Sequence, residues 1–252
     1  MKLTDATIVH QKRVADEVYE LTVSEPYLAQ AAEAGQFLHI QTGQFGQPLL
    51  RRPISIADVN RDKGTLTCLY KVVGKGTAVL AGRSEGESLN ILGPLGNGFP
   101  IDQIEQGSHV ILIGGGVGIP PLYILAKELI EKGIRCSAYL GFRSATDVFY
   151  DKEFEALCDV YIATEDGSHG YKGYVTDIVS TAGILTYYAC GPKPMLTKVK
   201  HQLPMQGYLS LEERMGCGVG ACLACVCPTN TEKQYAKVCS DGPVFLSKEV
   251  IL

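Results

Sequence analysis

No run of eighteen consecutive apolar residues occurs in this 252-residue chain, so no membrane-spanning helix of ordinary length is expected. No basic block occurs either. Lysine and arginine total 23 against 27 acids, a net charge of −4, which argues against a nucleic-acid partner. The opening residues, Met1-Lys2-Leu3-Thr4-Asp5, carry an acid and lead into no long apolar core, so a signal peptide is not expected there. Nine cysteines without such a signal point to a reducing compartment, and the expected location is the cytoplasm. What the chain does have is length and apolar content enough for one or two cored domains plus a small appendage.

Up to about residue 99, short apolar runs are punctuated by Gly, Pro and Asn. Strands are expected over 2–10, 19–23, 37–41, 54–58, 66–72 and 88–92, with one helical stretch over 27–33. Six short strands in about a hundred residues suggest a small antiparallel barrel. Two segments in it suit an anionic ligand. Arg51-Arg52-Pro53-Ile54-Ser55 sets a cation and a hydroxyl beside a rigid proline, although an edge strand entered through proline would read the same way. Leu69-Tyr70-Lys71 offers an aromatic platform and a cation, then leads into a Gly74-Lys75-Gly76-Thr77 turn whose backbone could cradle phosphate. Ordinary strand packing remains open for Tyr70.

From His109 the rhythm changes to strand, loop, helix. The unbroken apolar run 109–113 reads as a buried parallel strand. Gly114-Gly115-Gly116-Val117-Gly118-Ile119-Pro120-Pro121 follows, then an amphipathic helix to about residue 132, closed by Gly133 as a left-handed cap. Further strands are expected over 136–142, 160–164, 186–190 and 208–211, and helices over 151–158, 174–180 and 194–203. Such alternation gives a doubly wound sheet that binds ligands at its strand ends. The glycine run is not G-x-G-x-x-G, so an ordinary Rossmann assignment fails. Arg143-Ser144 could grip a 2′-phosphate, no acid stands where an NAD ribose contact is expected, and Asp147 and Asp166 are nearby candidates only. NAD or NADP stays open.

The most specific signal lies near the C-terminus. Cys217, Cys222, Cys225 and Cys239 are spaced C-x4-C-x2-C-x13-C. The spacing resembles the plant-type ferredoxin run that holds a [2Fe–2S] cluster. Glycines at 216, 218 and 220 permit positive φ and leave N–H groups free to point at sulfur. A zinc site is the alternative, but a zinc ribbon shows two short C-x2-C pairs; a disulfide pair is another. Cys227 is left out of the ligand set, its side chain expected to point away from the loop. Cys68, Cys136 and Cys158 fall in apolar patterns and read as buried hydrophobes.

Taken in order, these motifs resemble the ferredoxin–NADP reductase superfamily. That resemblance implies FAD held by Arg52, Pro53, Ile54 and Ser55, by Leu69, Tyr70 and Lys71, and by Gly76 and Thr77. It also implies nicotinamide dinucleotide over Gly114, Gly115, Gly116, Gly118 and Pro120 and over Cys190, Gly191 and Pro192, the last three matching a C-G-P element. With the cysteine loop, Gly93-Pro94-Leu95-Gly96-Asn97-Gly98-Phe99 and Val238-Cys239-Ser240-Asp241-Gly242-Pro243-Val244-Phe245, nearly the whole chain is similar to electron-transfer subunits of NAD-dependent dihydroorotate dehydrogenases. The resemblance implies three parts: residues 1–100 for FAD, 101–211 for NAD and 212–252 for the cluster. It further implies an FMN-containing catalytic partner, two of each chain, that oxidises dihydroorotate in pyrimidine biosynthesis. A related subunit serving a hydrogenase or a ferredoxin-dependent NADP reductase would share these motifs, and a zinc-binding ligand sensor would share some of them. No base for substrate deprotonation is identifiable here, in keeping with a substrate site on the partner.

Overall fold

A computed structural model of the chain describes residues 1–43 and 48–252. The first half is a closed barrel of β1 (Lys2–Ala15), β2 (Val18–Ser24), β3 (Phe37–Ile40), β4 (Arg52–Asn60), β5 (Thr65–Lys71) and β6 (Ser88–Leu95). The order around it is β1-β2-β5-β4-β3-β6, with every neighbouring pair antiparallel. Alternation drives this closure. In β2 the buried Leu21 and Val23 stand two residues apart on one face, and each fully buried side chain of this size contributes about 1.5–3 kcal/mol. β1 runs five residues past its expected end, carried on by register shifts near Ile8/His10 and Arg13/Ala15.

Two helices belong to the barrel half. α1 (Pro26–Ala31) starts with Pro at its first turn, and the buried Glu25 carboxylate accepts the Leu28 N–H at 2.6 Å. α2 (Lys75–Ala81) occupies the stretch expected to be only a turn. Gly74 and Gly76 read as turn residues because of their type. Thr77 Oγ1 accepts the Val73 N–H at 3.0 Å and the Gly74 N–H at 3.3 Å, which starts the helix in spite of both glycines.

The second half is a seven-stranded sheet built from β7 (His109–Gly115), β8 (Arg135–Phe142), β9 (Asp159–Thr164), β10 (Tyr171–Lys172), β11 (Thr186–Cys190), β12 (Gln206–Ser210) and β15 (Val244–Leu246). Its order is β10-β9-β8-β7-β11-β12-β15. All pairs are parallel except β12–β15. α3 (Pro120–Glu131), α4 (Asp151–Glu155) and α5 (Lys193–Gln202) supply its helices, and the segment expected to be helical over 174–180 is a single 3-10 turn, Val175–Asp177. β7 shows the double winding residue by residue. Val110 and Leu112 pack with Leu122, Leu125 and Leu129 of α3, while Ile111 and Ile113 pack with Leu196 and Val199 of α5.

One core joins the two halves, since the apolar side chains of β4, β5 and α3 form a single cluster. Polar contacts fix their angle. Lys127 Nζ meets Asp58 at 2.5 Å, and Tyr150 donates its hydroxyl to Glu20 at 2.7 Å. The C-terminal segment adds the hairpin of β13 (Val226–Pro228) and β14 (Tyr235–Lys237). It then returns β15 to the edge of the nucleotide sheet.

Candidate functional site

Two adjoining cavities open where the barrel meets the carboxyl ends of the parallel strands. The smaller, about 280 Å³, is lined by Arg52, Pro53, Ile54 and Ser55 of β4, Leu69, Tyr70 and Lys71 of β5, and Thr77 of α2. Eight of the nine residues expected around a flavin therefore face one space. The ninth, Gly76, stands behind Arg52: a Cβ there would meet the Arg52 guanidinium at 2.1–2.5 Å. Only glycine leaves room for that cation against the first turn of α2. Arg52 Nη1 donates to the Leu50 carbonyl at 2.5 Å, which holds the guanidinium at the rim. Tyr70 is buried and also lines the cavity, its ring stacked on Tyr19 at 5.9 Å and its hydroxyl donating to Gln11 at 3.0 Å. Burial, then the neighbouring Tyr19, pushes the Tyr70 phenol up, so it stays protonated.

The larger cavity, about 690 Å³, lies over β7, β8 and β11 and is lined by Gly115, Gly116, Gly118, Gly191 and Pro192 from the expected set. Gly114, Pro120 and Cys190 do not line it. A Cβ on Gly114 would stand 2.6 Å from Ile119, Pro120 is buried at the first turn of α3, and Cys190 is buried in β11. Burial, then the charge of Glu212, raises the Cys190 thiol, which keeps it neutral. Asp147, on the wall, is held by Arg143 at 3.3 Å, Lys71 at 3.7 Å and the Ser144 hydroxyl at 3.0 Å. Asp166 bonds instead to the Ser168 hydroxyl at 2.6 Å.

Lys71, Val117 and Glu212 line both cavities, so occupants of the two would touch across them. The Glu212 residue is exposed as a whole, yet its carboxyl lies among cavity walls, and burial raises its pKa. Glu212, Phe37 and Met195 were not expected from the sequence. Their positions carry no motif, and they meet only because separate elements converge on the cleft.

The cysteine loop abuts the smaller cavity, whose wall includes Met215. Five backbone N–H groups point at its sulfurs. Cys217 Sγ accepts from Val219, Ala221 and Cys222 at 3.3–3.4 Å, Cys239 Sγ from Gly220 at 3.1 Å, and Cys225 Sγ from Cys239 at 3.4 Å. Burial acts to raise the Cys217 thiol, but those N–H groups and the Cys222 side chain outweigh it and bring it down to about 6. Cys239 is pushed up to about 12 by burial, then by the Cys225 thiol it faces.

The thiols thus come in two pairs, Cys217 with Cys222 and Cys225 with Cys239. Among the described residues no three Cys, His or acidic side chains converge on one ion position. A single tetrahedral zinc needs four donors about one point, whereas a two-iron cluster takes two thiolates per iron. The donor set fits the cluster. Cys227 is buried in β13 within the apolar core, and burial raises its thiol. Cys68 and Cys136 are buried and Cys158 half-buried, all as free thiols.

Comparison with known proteins agrees with this geometry. Residues 212–251 match the iron-sulfur cluster binding domain of dihydroorotate dehydrogenase B, and residues 112–201 match the oxidoreductase NAD-binding domain. Among solved structures, a chain described in work on flavin-based electron bifurcation by the NADH-dependent reduced ferredoxin-NADP oxidoreductase superposes with a TM-score of 0.87. It is 31% identical and covers 98% of this chain and 89% of its own. The dihydroorotate dehydrogenase B (NAD(+)) electron transfer subunit of Geobacillus thermodenitrificans is 48% identical over 250 residues, 98% of this chain and 97% of its own. That of Bacillus caldolyticus is 47% identical over the same span. With cavities, thiol pairs and full-length similarity in agreement, the chain belongs to the family of dihydroorotate dehydrogenase B electron transfer subunits.

Proposed function

We propose that this chain is the oxidoreductase subunit that carries electrons from dihydroorotate oxidation on a partner chain to NAD⁺, with the site residues assigned as follows. Arg52, Pro53, Ile54, Ser55, Leu69, Tyr70, Lys71, Gly76 and Thr77 hold FAD. Gly115, Gly116, Gly118, Gly191 and Pro192 contact NAD, with Gly114, Pro120 and Cys190 supporting them from behind. Cys217, Cys222, Cys225 and Cys239 ligate the [2Fe–2S] cluster. A nicotinamide exchanges a hydride, a cluster one electron, and a flavin either.

The observation that carries this reading is the sequence of spaces: cysteine loop, smaller cavity, larger cavity, each sharing a wall with the next. Met215 joins the first two, and Lys71, Val117 and Glu212 join the last two. Arg52 and Lys71 bring positive charge to the smaller cavity, where a diphosphate needs it. The apolar walls, Ile54, Leu69 and Met215 among them, keep water from the flavin edge and so strengthen the polar contacts made there. The N–H groups turned onto the sulfurs set the potential of the cluster.

The partner assigned here is an FMN-containing catalytic chain, two copies of each, and the compartment is the cytoplasm. No helix among the described residues is long and apolar enough to cross a membrane. The parts are 1–100, 101–211 and 212–252, with β15 of the last completing the sheet of the second. A second reading, service to a ferredoxin-dependent NADP reductase, is favoured by the 31% likeness to that enzyme's chain; it falls if an FMN dehydrogenase chain co-purifies.

The test is paired turnover. The chain alone should reduce a dye with NADH and fail to oxidise dihydroorotate with NAD⁺, and adding the FMN partner should restore the second reaction. Dihydroorotate oxidation by this chain alone would put the substrate site on the wrong subunit. For the flavin assignment, Arg52→Ala removes a charge-assisted phosphate contact of about 1.5–3 kcal/mol, roughly a tenfold to hundredfold loss of FAD affinity. Unchanged flavin retention in that variant would overturn it.

A further inference from the structure

His39 lies in β3 two residues beyond Phe37, which lines the smaller cavity. Its side chain is fully buried. Neither ring nitrogen has a hydrogen-bond partner among the described residues. An imidazole buried in that condition is destabilising unless some further group satisfies it.

The ring faces the cysteine loop. A Cβ on Gly218 would stand 2.6 Å from His39 Nδ1, and Gly218 immediately follows Cys217. The backbones of Cys217 and Arg51 both come close to the ring, but neither completes a hydrogen bond with it. In either protonation state the ring keeps at least one N–H to donate. The strand beneath is anchored, since Arg51 Nη1 donates to the His39 carbonyl at 3.2 Å and to the Asn90 carbonyl at 2.9 Å.

We propose that His39 is a positioning residue for the iron–sulfur centre: its buried N–H donates to a sulfur of the cluster or of its thiolate ligands. This rests on the cluster reading above and adds to the backbone N–H groups a donor from the barrel itself. The donor ties the cysteine loop to the strand that also walls the flavin cavity. A hydrogen bond to sulfur stabilises the reduced centre, which carries the extra negative charge, and so raises its potential.

The experiment uses the chain with its metal centre, purified anaerobically with ¹⁵N-labelled histidine and examined reduced by pulsed EPR. A ¹⁵N coupling is expected in the wild type and should vanish in His39→Gln. That variant keeps an N–H donor and should hold its potential near the wild-type value. His39→Leu, with no donor, should shift to a more negative potential. A [2Fe–2S] signal without histidine coupling overturns the proposal, as does an unchanged potential in His39→Leu. If His39→Leu retains no iron, the wild-type spectrum decides alone. Absence of any [2Fe–2S] signal from the wild type would instead bring down the cluster reading on which this rests.

Discussion

From the end of β7 toward α3 the chain runs Gly114-Gly115-Gly116-Val117-Gly118, and after β12 it runs Gly216-Cys217-Gly218-Val219-Gly220. The two stretches look alike in composition. In the first, glycine supplies missing volume: a Cβ at 118 would stand 2.4 Å from the Cys190 carbonyl oxygen, and one at 115 would stand 2.7 Å from Met195 Sδ. The end of β11 and Met195 pack directly onto the loop there, and Gly115, Gly118, Gly191 and Met195 together wall the nucleotide cavity. In the second, glycine supplies handedness. Gly218 and Gly220 have φ of +73° and +78°, and that backbone turns the N–H groups of Val219, Gly220, Ala221 and Cys222 onto sulfur. One loop is shaped by what packs against it, the other by the direction its amides point.

Substitutions can break the comparison at graded depth. The largest effect is expected from Cys239→Ser, which removes one thiolate of the Cys225 pair. Iron counted per chain should fall to near zero, whereas Cys227→Ser should keep its iron. Equal loss in both would mean the ligand set is misassigned. Next comes Gly118→Ala, where the obstruction is backbone and cannot swing aside. A cost of about 1–3 kcal/mol is expected, and a comparable weakening of NADH binding, roughly tenfold. Flavin and iron per chain should be unaltered; an unchanged KM for NADH in dye reduction would show that the volume argument fails.

Gly218→Ala tests the handedness argument. A left-handed backbone at a residue with a Cβ costs about 1–2 kcal/mol, and the His39 ring must also give way. Release of iron to a chelator should quicken while NADH-to-dye turnover holds. A slower dye reaction with iron retained would contradict this. The smallest effect belongs to Gly116→Ala. Its φ is +51° and nothing lies within 4 Å of the added methyl, so only backbone strain of about 1 kcal/mol is expected. Thermal unfolding measures it, and a loss larger than that of Gly118→Ala would reverse the ranking of the two causes.

Much of this architecture was legible in the sequence because period and punctuation agree with it. Leu89 and Ile91 alternate with polar residues in β6, β7 is an unbroken apolar run, and the cysteine spacing has few rival meanings. Legibility fails where tertiary contacts override local type. Gly74 and Gly76 suggest a turn, yet Gly76 is glycine because Arg52 lies against it, and Thr77 starts a helix regardless. β1 continues through exposed polar residues to Ala15 because two bulges keep it paired. β15 is three residues long and has no signal of its own; β12 recruits it. The cavity walls at Phe37, Met195 and Glu212 come from three distant segments, and no linear pattern brings them together. Cys190 shows the converse: its motif was visible, but the pattern could not say that its thiol is buried behind the cavity.

The antiparallel pairing of β15 with β12 has a consequence for anyone who cuts the chain. Tyr208, Leu209 and Ser210 are covered along their outer side by Leu246, Phe245 and Val244, and the Leu211 N–H is capped by the Pro243 carbonyl at 2.9 Å. A protein ending at residue 211 would expose that whole row of donors and acceptors on a strand whose inner neighbours are fully paired. Bare edges of this kind recruit other chains. The C-terminal segment is thus also the sheet's protective selvage, and a shortened chain that kept its flavin would be expected to self-associate for a reason unrelated to electron transfer.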